Sequence, residues 1–227
     1  MSVNAWIVVG DQPTIGNLIT VARSLGGPVG AVVAGPRSVA ETVAASGLDR
    51  VVIIEDDSLR EAGRSELAAV LAAAVRRIGD VDLIITGDSS VDVAAKMVPT
   101  VLAGELGWPA VAEVTAVTGQ AGALRVERAI PGGVQVLEIS GPAVLAASAD
   151  AAVPHVPGMK ELLAAGKKPV DLLELTALDV PARSAVMPVT GRARPERKAR
   201  TGQLIDTRDP AAAAAELVTA LRTAGAL

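Results

Sequence analysis

Residues 81–92 read VDLIITGDSSVD, and this stretch decides the fold. Its apolar run is nearly continuous up to Gly87, whereas a strand with one solvent-exposed face would alternate apolar and polar residues. It therefore predicts a strand covered on both faces, as in a parallel sheet. Three earlier runs repeat the pattern: AWIVV at 5–9, PVGAVVAG at 28–35 and RVVIIE at 50–55.

Segments with helical periodicity separate these runs. Leu67, Val70, Leu71, Ala74 and Ile78 follow the i, i+3, i+4 spacing of an amphipathic helix. Further crossover helices are predicted at residues 17–25, 39–46 and 91–106. Strands that alternate with helices indicate right-handed βαβ units. The predicted fold class is thus α/β, with a three-layer, doubly wound, mostly parallel sheet.

The pattern changes after Trp108. AVAEVTAV at 110–117, ALRVERAI at 123–130 and VQVLEIS at 134–140 predict a β-hairpin or meander inserted before a core strand, AVLAAS, at 143–148. From there we expect residues 1–174 to form the α/β domain. Residues 175–227 are predicted to form an arm that wraps a partner and ends in a helix, which Asp209 and Pro210 start.

The composition removes several classes of function. There is no cysteine and only one histidine, His155, so disulfides, thiolate chemistry, iron–sulfur clusters and multi-histidine metal sites are excluded. The net charge of −4 and the lack of Phe and Tyr argue against nucleic-acid binding, and the basic tract at 191–200 is interpreted as a solvated tail or a docking arm. We expect a cytoplasmic protein without a signal peptide, a membrane-spanning run, a metal site or catalytic side chains.

Two predicted strand ends carry the groups that a nucleotide needs. In an open parallel sheet, ligands bind at the carboxyl ends of the strands where the strand order reverses. Glycine permits close backbone approach, and Asp and Ser supply hydrogen-bonding groups. Neither the Rossmann glycine fingerprint nor a P-loop is present, so a capped turn without a ligand stays an alternative. The candidate binding residues are Gly10, Asp11, Gly87, Asp88, Ser89, Ser90, Asp92 and Lys96.

Residues 82–169 resemble the beta subunits of electron transfer flavoproteins. VDLIITGDSSVD followed by LAGELGWP is similar to that family's strand, nucleotide loop and helix, and LRVERAIPGGVQVLEISGPAVLAAS is similar to its hairpin and next strand. PHVPGMKELLAAGKKP, at 154–169, resembles the family's segment that docks a dehydrogenase. GLDRVVIIE upstream and PERKARTGQLI downstream extend the likeness over most of the chain.

The resemblance implies a fold like that of adenine-nucleotide alpha hydrolases, and a heterodimer that carries electrons. An alpha subunit holds the FAD, and this chain buttresses it. AMP, or a second FAD, binds at the loop matched here by Gly87 to Lys96. Met159, Leu162 and Leu163 are the implied docking residues for a flavin- or nicotinamide-linked dehydrogenase. The bias of the composition toward Ala, Arg and Val also suggests the type of electron transfer flavoprotein that accompanies a peptide-derived redox cofactor, mycofactocin.

The nucleotide loop departs from the family's pattern. Ala94, Ala95, Val98 and Pro99 stand where polar residues or glycine are expected, and the segment after the first strand is shortened to GDQPTIG at 10–16. Whether AMP, a second FAD or nothing occupies this loop is therefore left open. Two other classes stay open as well. One is a stand-alone nucleotide-binding protein of the universal-stress type, and the other is a small hydrolase or transferase that uses Asp11 and Asp88.

Overall fold

The computed structural model describes most of the chain, with gaps. The described residues are 2–9, 15–35, 39, 43–44, 46–60, 62–88, 97–165, 170–180, 190–191, 193–194, 196 and 202–227. The chain splits into two compact units, Met1–Pro188 and Val189–Leu227. The predicted boundary after residue 174 stays a prediction.

Nine strands form one sheet in the first unit, in the order β7-β6-β5-β8-β4-β1-β2-β3-β9. The strands are β1 (Ala5–Val9), β2 (Val29–Ala34), β3 (Arg50–Ile54), β4 (Leu83–Gly87), β5 (Ala110–Gln120), β6 (Ala123–Ile130), β7 (Gly133–Ile139), β8 (Ala143–Ala147) and β9 (Val170–Leu172). The helices of this unit are α1 (Ile15–Arg23), α2 (Arg64–Ile78), α3 (Met97–Leu106) and α4 (Met159–Ala165), with short 3₁₀ turns at Asp57–Arg60 and Leu175–Ala177.

The sheet is parallel except at the inserted hairpin. β1 pairs in parallel with β2 and β4, and β8 pairs in parallel with β4 and β5. Among the described strands, only the pairs β5–β6 and β6–β7 are antiparallel, so β6 runs opposite to the rest of the sheet. The predicted α/β class with a doubly wound, mostly parallel sheet and a hairpin insertion is confirmed.

Both faces of the central strands are buried, which explains their continuous apolar runs. Successive residues of a strand point to opposite faces. Ala5 and Ile7 accordingly pack into a core cluster with α1, while Trp6 and Val8 pack into a second cluster with α2 and α3. Helices therefore cover the sheet on both sides, and the predicted three layers are confirmed.

α1 differs from its predicted bounds, and two other predicted helices are described only in part. α1 begins two residues before the predicted start, at Ile15. The helix predicted for 91–106 is described only over Met97–Leu106, because 91–96 lie outside the described residues. Only 39 and 43–44 of the predicted helix at 39–46 are described as helical.

The chain on both sides of the predicted boundary at residue 174 packs on the sheet and α2. β9, near the end of the predicted domain, adds a ninth strand beside β3. The predicted arm then begins with Leu175–Ala177 and Leu178, which is 8% exposed in the cluster with α2. Three residues are too few for a periodicity to indicate a strand, so pairing with β3 decides this element.

The second unit contains helix α5 (Pro210–Thr223). The Asp209 side chain accepts hydrogen bonds from the backbone N–H groups of Ala211 and Ala212, at 3.0 and 3.2 Å, and Pro210 occupies the first helical position. The predicted helix start at Asp209 and Pro210 is confirmed. None of the helix's residues is buried within the chain.

Candidate functional site

The strand order reverses between β1 and β4. From β1 the chain builds outward through β2 and β3 on one side, and β4 returns to the other side of β1. Ile7 lies opposite Ile85 in this parallel pair, so Val9 and Gly87 end level with each other. Ligands of open α/β sheets bind in the crevice beyond such a reversal. β1 and β4 thus end side by side, as a binding site shared by the loops that follow them would require.

Two of the predicted binding residues are described. Gly87 ends β4, opposite Ala147 of β8, and Asp88 follows it. The other six, Gly10, Asp11, Ser89, Ser90, Asp92 and Lys96, lie outside the described residues. Their assignment as nucleotide ligands stays a prediction.

Asp88 is tied to the two strands beyond β4. Its backbone N–H donates to the Ala147 carbonyl at 2.9 Å, and its carboxylate Oδ2 accepts from the backbone N–H of Glu113 at 3.2 Å. Glu113 lies in β5, where the register against β8 shifts between Val111 and Val114. The Asp88 side chain therefore holds this irregular part of β5.

Glu113 has a left-handed backbone, with a φ of 57°. Such a conformation costs a non-glycine residue about 1–2 kcal/mol, and it survives where neighbouring contacts hold it. The hydrogen bond from the Glu113 N–H to Asp88 is one such contact. Sequence reasoning could not find Glu113, because it stands inside an ordinary strand pattern.

The described part of this sheet edge carries the carboxylate of Asp88, whose Oδ2 accepts the Glu113 N–H. Ser148, just after β8, places a buried hydroxyl there that has no hydrogen-bond partner among the described residues. A nearby carboxylate disfavours a phosphate unless a cation offsets it, and the candidate cation, Lys96, is outside the described residues.

The predicted docking residues lie in a second region of the first unit. Between β8 and β9 the chain runs through an irregular stretch into α4, and we call residues 153–163 the docking segment. Met159 is 71% exposed, Leu163 66% and Leu162 37%. Val153 and Val156 are exposed as well. The structure thus brings the three predicted residues together with two further apolar side chains.

The docking segment is held against α1. The backbone N–H of His155 donates to the Thr20 hydroxyl at 3.2 Å, and the Thr20 hydroxyl lies 3.1 Å from the Val153 carbonyl. His155 thus makes a loop contact with α1 through its backbone. Thr20 carried no signal in the sequence, since it lies inside a helical pattern.

Other kinds of site find no support in the described part of the chain. No group of three or more His, Cys, Asp or Glu side chains is placed to hold a metal ion there. Within the same residues, no helix is both long and apolar enough to cross a bilayer.

The residues that build this fold match a known protein family. A family model described as the electron transfer flavoprotein domain matches residues 12–178. The chain belongs to the electron transfer flavoprotein domain family. Members of this family are electron carriers, so the resemblance stated from the sequence is confirmed at that level.

Proposed function

We propose that this chain is the beta-type subunit of a heterodimeric electron transfer flavoprotein. In this role it docks a flavin- or nicotinamide-linked dehydrogenase and supports an FAD held mainly by the alpha subunit. It contributes no catalytic side chain of its own. The observation that carries the proposal is the exposed apolar docking segment in a chain of this family.

The docking segment has the chemistry of a protein-binding surface. Five apolar side chains are exposed within eleven residues, and contiguous exposed apolar surface marks interaction sites in soluble proteins. Met159 is the most exposed of the three predicted residues, and its flexible thioether adapts to pockets of different shape. Such a side chain suits a carrier that meets more than one dehydrogenase.

The exposure of helix α5 supports the proposal that this chain binds a stable partner subunit. It has 14 residues, none of them buried, and Leu217 and Val218 are 48% and 38% exposed. Isolated helices of this length are marginal in water, because most helix stability in proteins comes from packing an apolar face. We therefore propose that the second unit, which is the later part of the predicted arm 175–227, gains its stability on the alpha subunit.

The proposed role of this chain toward FAD is support. When bound, FAD accepts electrons from a donor and passes them on. In this chain, Asp88 holds the irregular part of β5 through the Glu113 N–H, and this shapes the sheet edge on which the partner's cofactor is proposed to rest. None of these contacts requires a proton to move.

A second nucleotide at this edge would lie near the carboxylate of Asp88, which disfavours a phosphate. We therefore propose that AMP or a second FAD binds only if Lys96 and the loop around it offset that charge. The mycofactocin-associated type and the cytoplasmic location stay predictions.

Co-expression with an alpha-type flavoprotein chain tests the proposal. The expected product is a yellow heterodimer that releases FAD on denaturation, and chromatography of the released nucleotides distinguishes FAD alone from FAD with AMP. A colourless protein that never binds an alpha-type chain would contradict the proposal. A homodimer that binds ATP without flavin would instead favour the universal-stress type. Hydrolase or transferase activity that an Asp11→Ala, Asp88→Ala double variant lacks would favour the third class.

Docking is tested separately on the purified heterodimer. Met159→Asp places a charge where an apolar contact is proposed, and burying a methionine side chain is worth about 1.5–3 kcal/mol. We expect the KM for the flavoprotein to rise at least tenfold, with kcat and thermal stability unchanged. Val134→Asp is the matched control, because Val134 is 59% exposed but lies on β7. An equal rise in KM for both variants would refute docking at Met159.

A further inference from the structure

Three residues of α1 contact the chain that leads into the docking segment. Gly16, Asn17 and Thr20 follow one another at the spacing that brings side chains onto one side of a helix. Their contacts are with residues 148–155, more than 130 positions later in the sequence. The remaining core-facing residues of α1, including Leu18 and Ile19, pack on the sheet.

Thr20 makes the contact closest to the docking segment. Its hydroxyl accepts the backbone N–H of His155 at 3.2 Å. The hydroxyl's own proton is within reach of two carbonyls, Gly16 at 2.9 Å and Val153 at 3.1 Å. A threonine in a helix commonly donates to the carbonyl four residues back. Here the same oxygen also receives an N–H from outside the helix, which ordinary back-bonding does not explain.

Gly16 allows the close approach. A Cβ at this position would lie 3.0 Å from the Cβ of Pro154 and 3.3 Å from the carbonyl oxygen of His155. The Gly16 carbonyl also lies 3.4 Å from the backbone nitrogen of His155, whose N–H it accepts. Any larger residue would push Pro154 away from α1.

Asn17 fixes the chain just before this contact. It is a buried polar residue, 2% exposed, and its side-chain Nδ2 donates to the carbonyls of Ser148 and Ala149 at 3.3 and 3.2 Å. Ala151 and Ala152 then pack against the core. The chain is therefore held at 148–149, at 151–152 and at 153–155, and the exposed residues Val156, Met159 and Leu163 follow the last contact.

We infer that Gly16, Asn17 and Thr20 are positioning residues for docking: they hold the backbone of residues 148–155 so that Val156, Met159 and Leu163 protrude in a fixed direction. This rests on the proposed docking role of the segment. Holding a binding segment in its bound direction lowers the entropy that association costs. Prolines 154 and 157 restrict the same backbone, and the contacts with α1 determine where it points.

The amide of His155 reports on this contact directly. Hydrogen exchange by NMR is measured on the full-length chain for wild type, Thr20→Val and Thr20→Ser. Valine keeps the shape of threonine and removes the hydroxyl, whereas serine keeps the hydroxyl. Loss of one hydrogen bond corresponds to about a fivefold change in the opening equilibrium. We expect Thr20→Val to raise His155 exchange about fivefold or more, Thr20→Ser to leave it near wild type, and the amides of β1 and β4 to be unchanged.

A glycine pair gives an independent test. Gly16→Ala is expected to raise His155 exchange, because the new Cβ meets Pro154. Gly104→Ala is the matched control, since Gly104 is also in a helix and a Cβ there meets nothing within 4 Å. The Gly104→Ala variant should leave His155 exchange unchanged.

The effect on docking is measured as the KM for the flavoprotein, using the heterodimer and a flavin-dependent dehydrogenase that reduces the wild-type complex. We expect Thr20→Val to raise the KM for the flavoprotein about fivefold without changing kcat, and Thr20→Ser to restore it. Unchanged His155 exchange in Thr20→Val would overturn the positioning role. Faster exchange with an unchanged KM would overturn its link to docking. If no dehydrogenase reduces the wild-type complex, the proposed function fails, and the exchange measurements still decide whether α1 positions the segment.

Discussion

Gly30→Ala tests the packing that brings β1 and β2 together. Gly30 lies directly opposite Trp6 in this parallel pair. An ideal Cβ on Gly30 would lie 2.7, 2.7 and 2.8 Å from three carbon atoms of the Trp6 indole ring. Favourable carbon–carbon contacts are about 3.5–4.0 Å. The ring or the strand would therefore have to move by about 0.8 Å or more.

The surroundings of Trp6 leave little room for that movement. Trp6 is 3% exposed and packs in the cluster that contains Val32, Val52 and α2. The Arg50 guanidinium lies over its ring, 5.7 Å from the centroid. Overpacking a core by one methyl group costs about 1–3 kcal/mol. Replacing a glycine within a strand recovers about 0.5–1 kcal/mol of chain entropy.

The expected net effect is a destabilisation of about 1–2 kcal/mol. For a chain of this size, that lowers the Tm by about 2–8 °C. Thermal and urea unfolding, followed by far-UV circular dichroism, measure the change. Gly104→Ala in α3 is the control, and we expect it to stabilise the protein by about 0.4–1 kcal/mol.

A double variant identifies the cause. Trp6→Leu makes room beside residue 30, so the loss from Gly30→Ala should shrink in that background. Contacting residues typically couple by about 0.5–3 kcal/mol. If Gly30→Ala is as stable as wild type, or if the two substitutions are additive, the argument from the ring contact is refuted.

Three further predictions concern polar groups. Asp88→Ala should destabilise the protein by about 1–3 kcal/mol in urea unfolding, because the Glu113 N–H loses its acceptor; Asp88→Asn, which keeps an acceptor oxygen, should cost less. Asp209→Ala should lower the helix content of α5 in the isolated chain, with a cost of about 0.5–2 kcal/mol to the helix. Hydrogen bonds from Arg208 lower the pKa of Asp206. The ion pair between the two side chains therefore persists at pH values above that pKa and is lost as the pH falls through it. NMR titration should show the Asp206 pKa rise toward its ordinary value in Arg208→Gln.

Local patterns were enough for the elements of the sheet. The continuous apolar runs at 5–9, 28–35, 50–55 and 83–87 predict buried parallel strands, because only a sheet covered on both faces hides every side chain. The switch to alternating residues after Trp108 predicts the antiparallel hairpin for the opposite reason. These signals lie within a few residues of each other, so they need no knowledge of the rest of the chain.

Contacts between residues that are distant in the sequence could not be predicted from the sequence. The predicted ligand Asp88 holds Glu113, which lies 25 positions away on β5. The left-handed backbone of Glu113 has no sequence signal, because that conformation is unusual for glutamate. β9 and the burial of Leu178 likewise depend on β3 and α2 being in place first.

The sequence by itself determined eight of the nine strands, the family, the lack of cysteine chemistry and the identity of the apolar residues around Met159. Each follows from local order or composition. Only the tertiary structure decided that Val9 and Gly87 end side by side, that Asp88 supports β5, and that Thr20 lies against His155. The physical reason is that hydrogen bonds join groups that are close in space, and the path of the chain through the sheet, which no local pattern records, decides which groups those are.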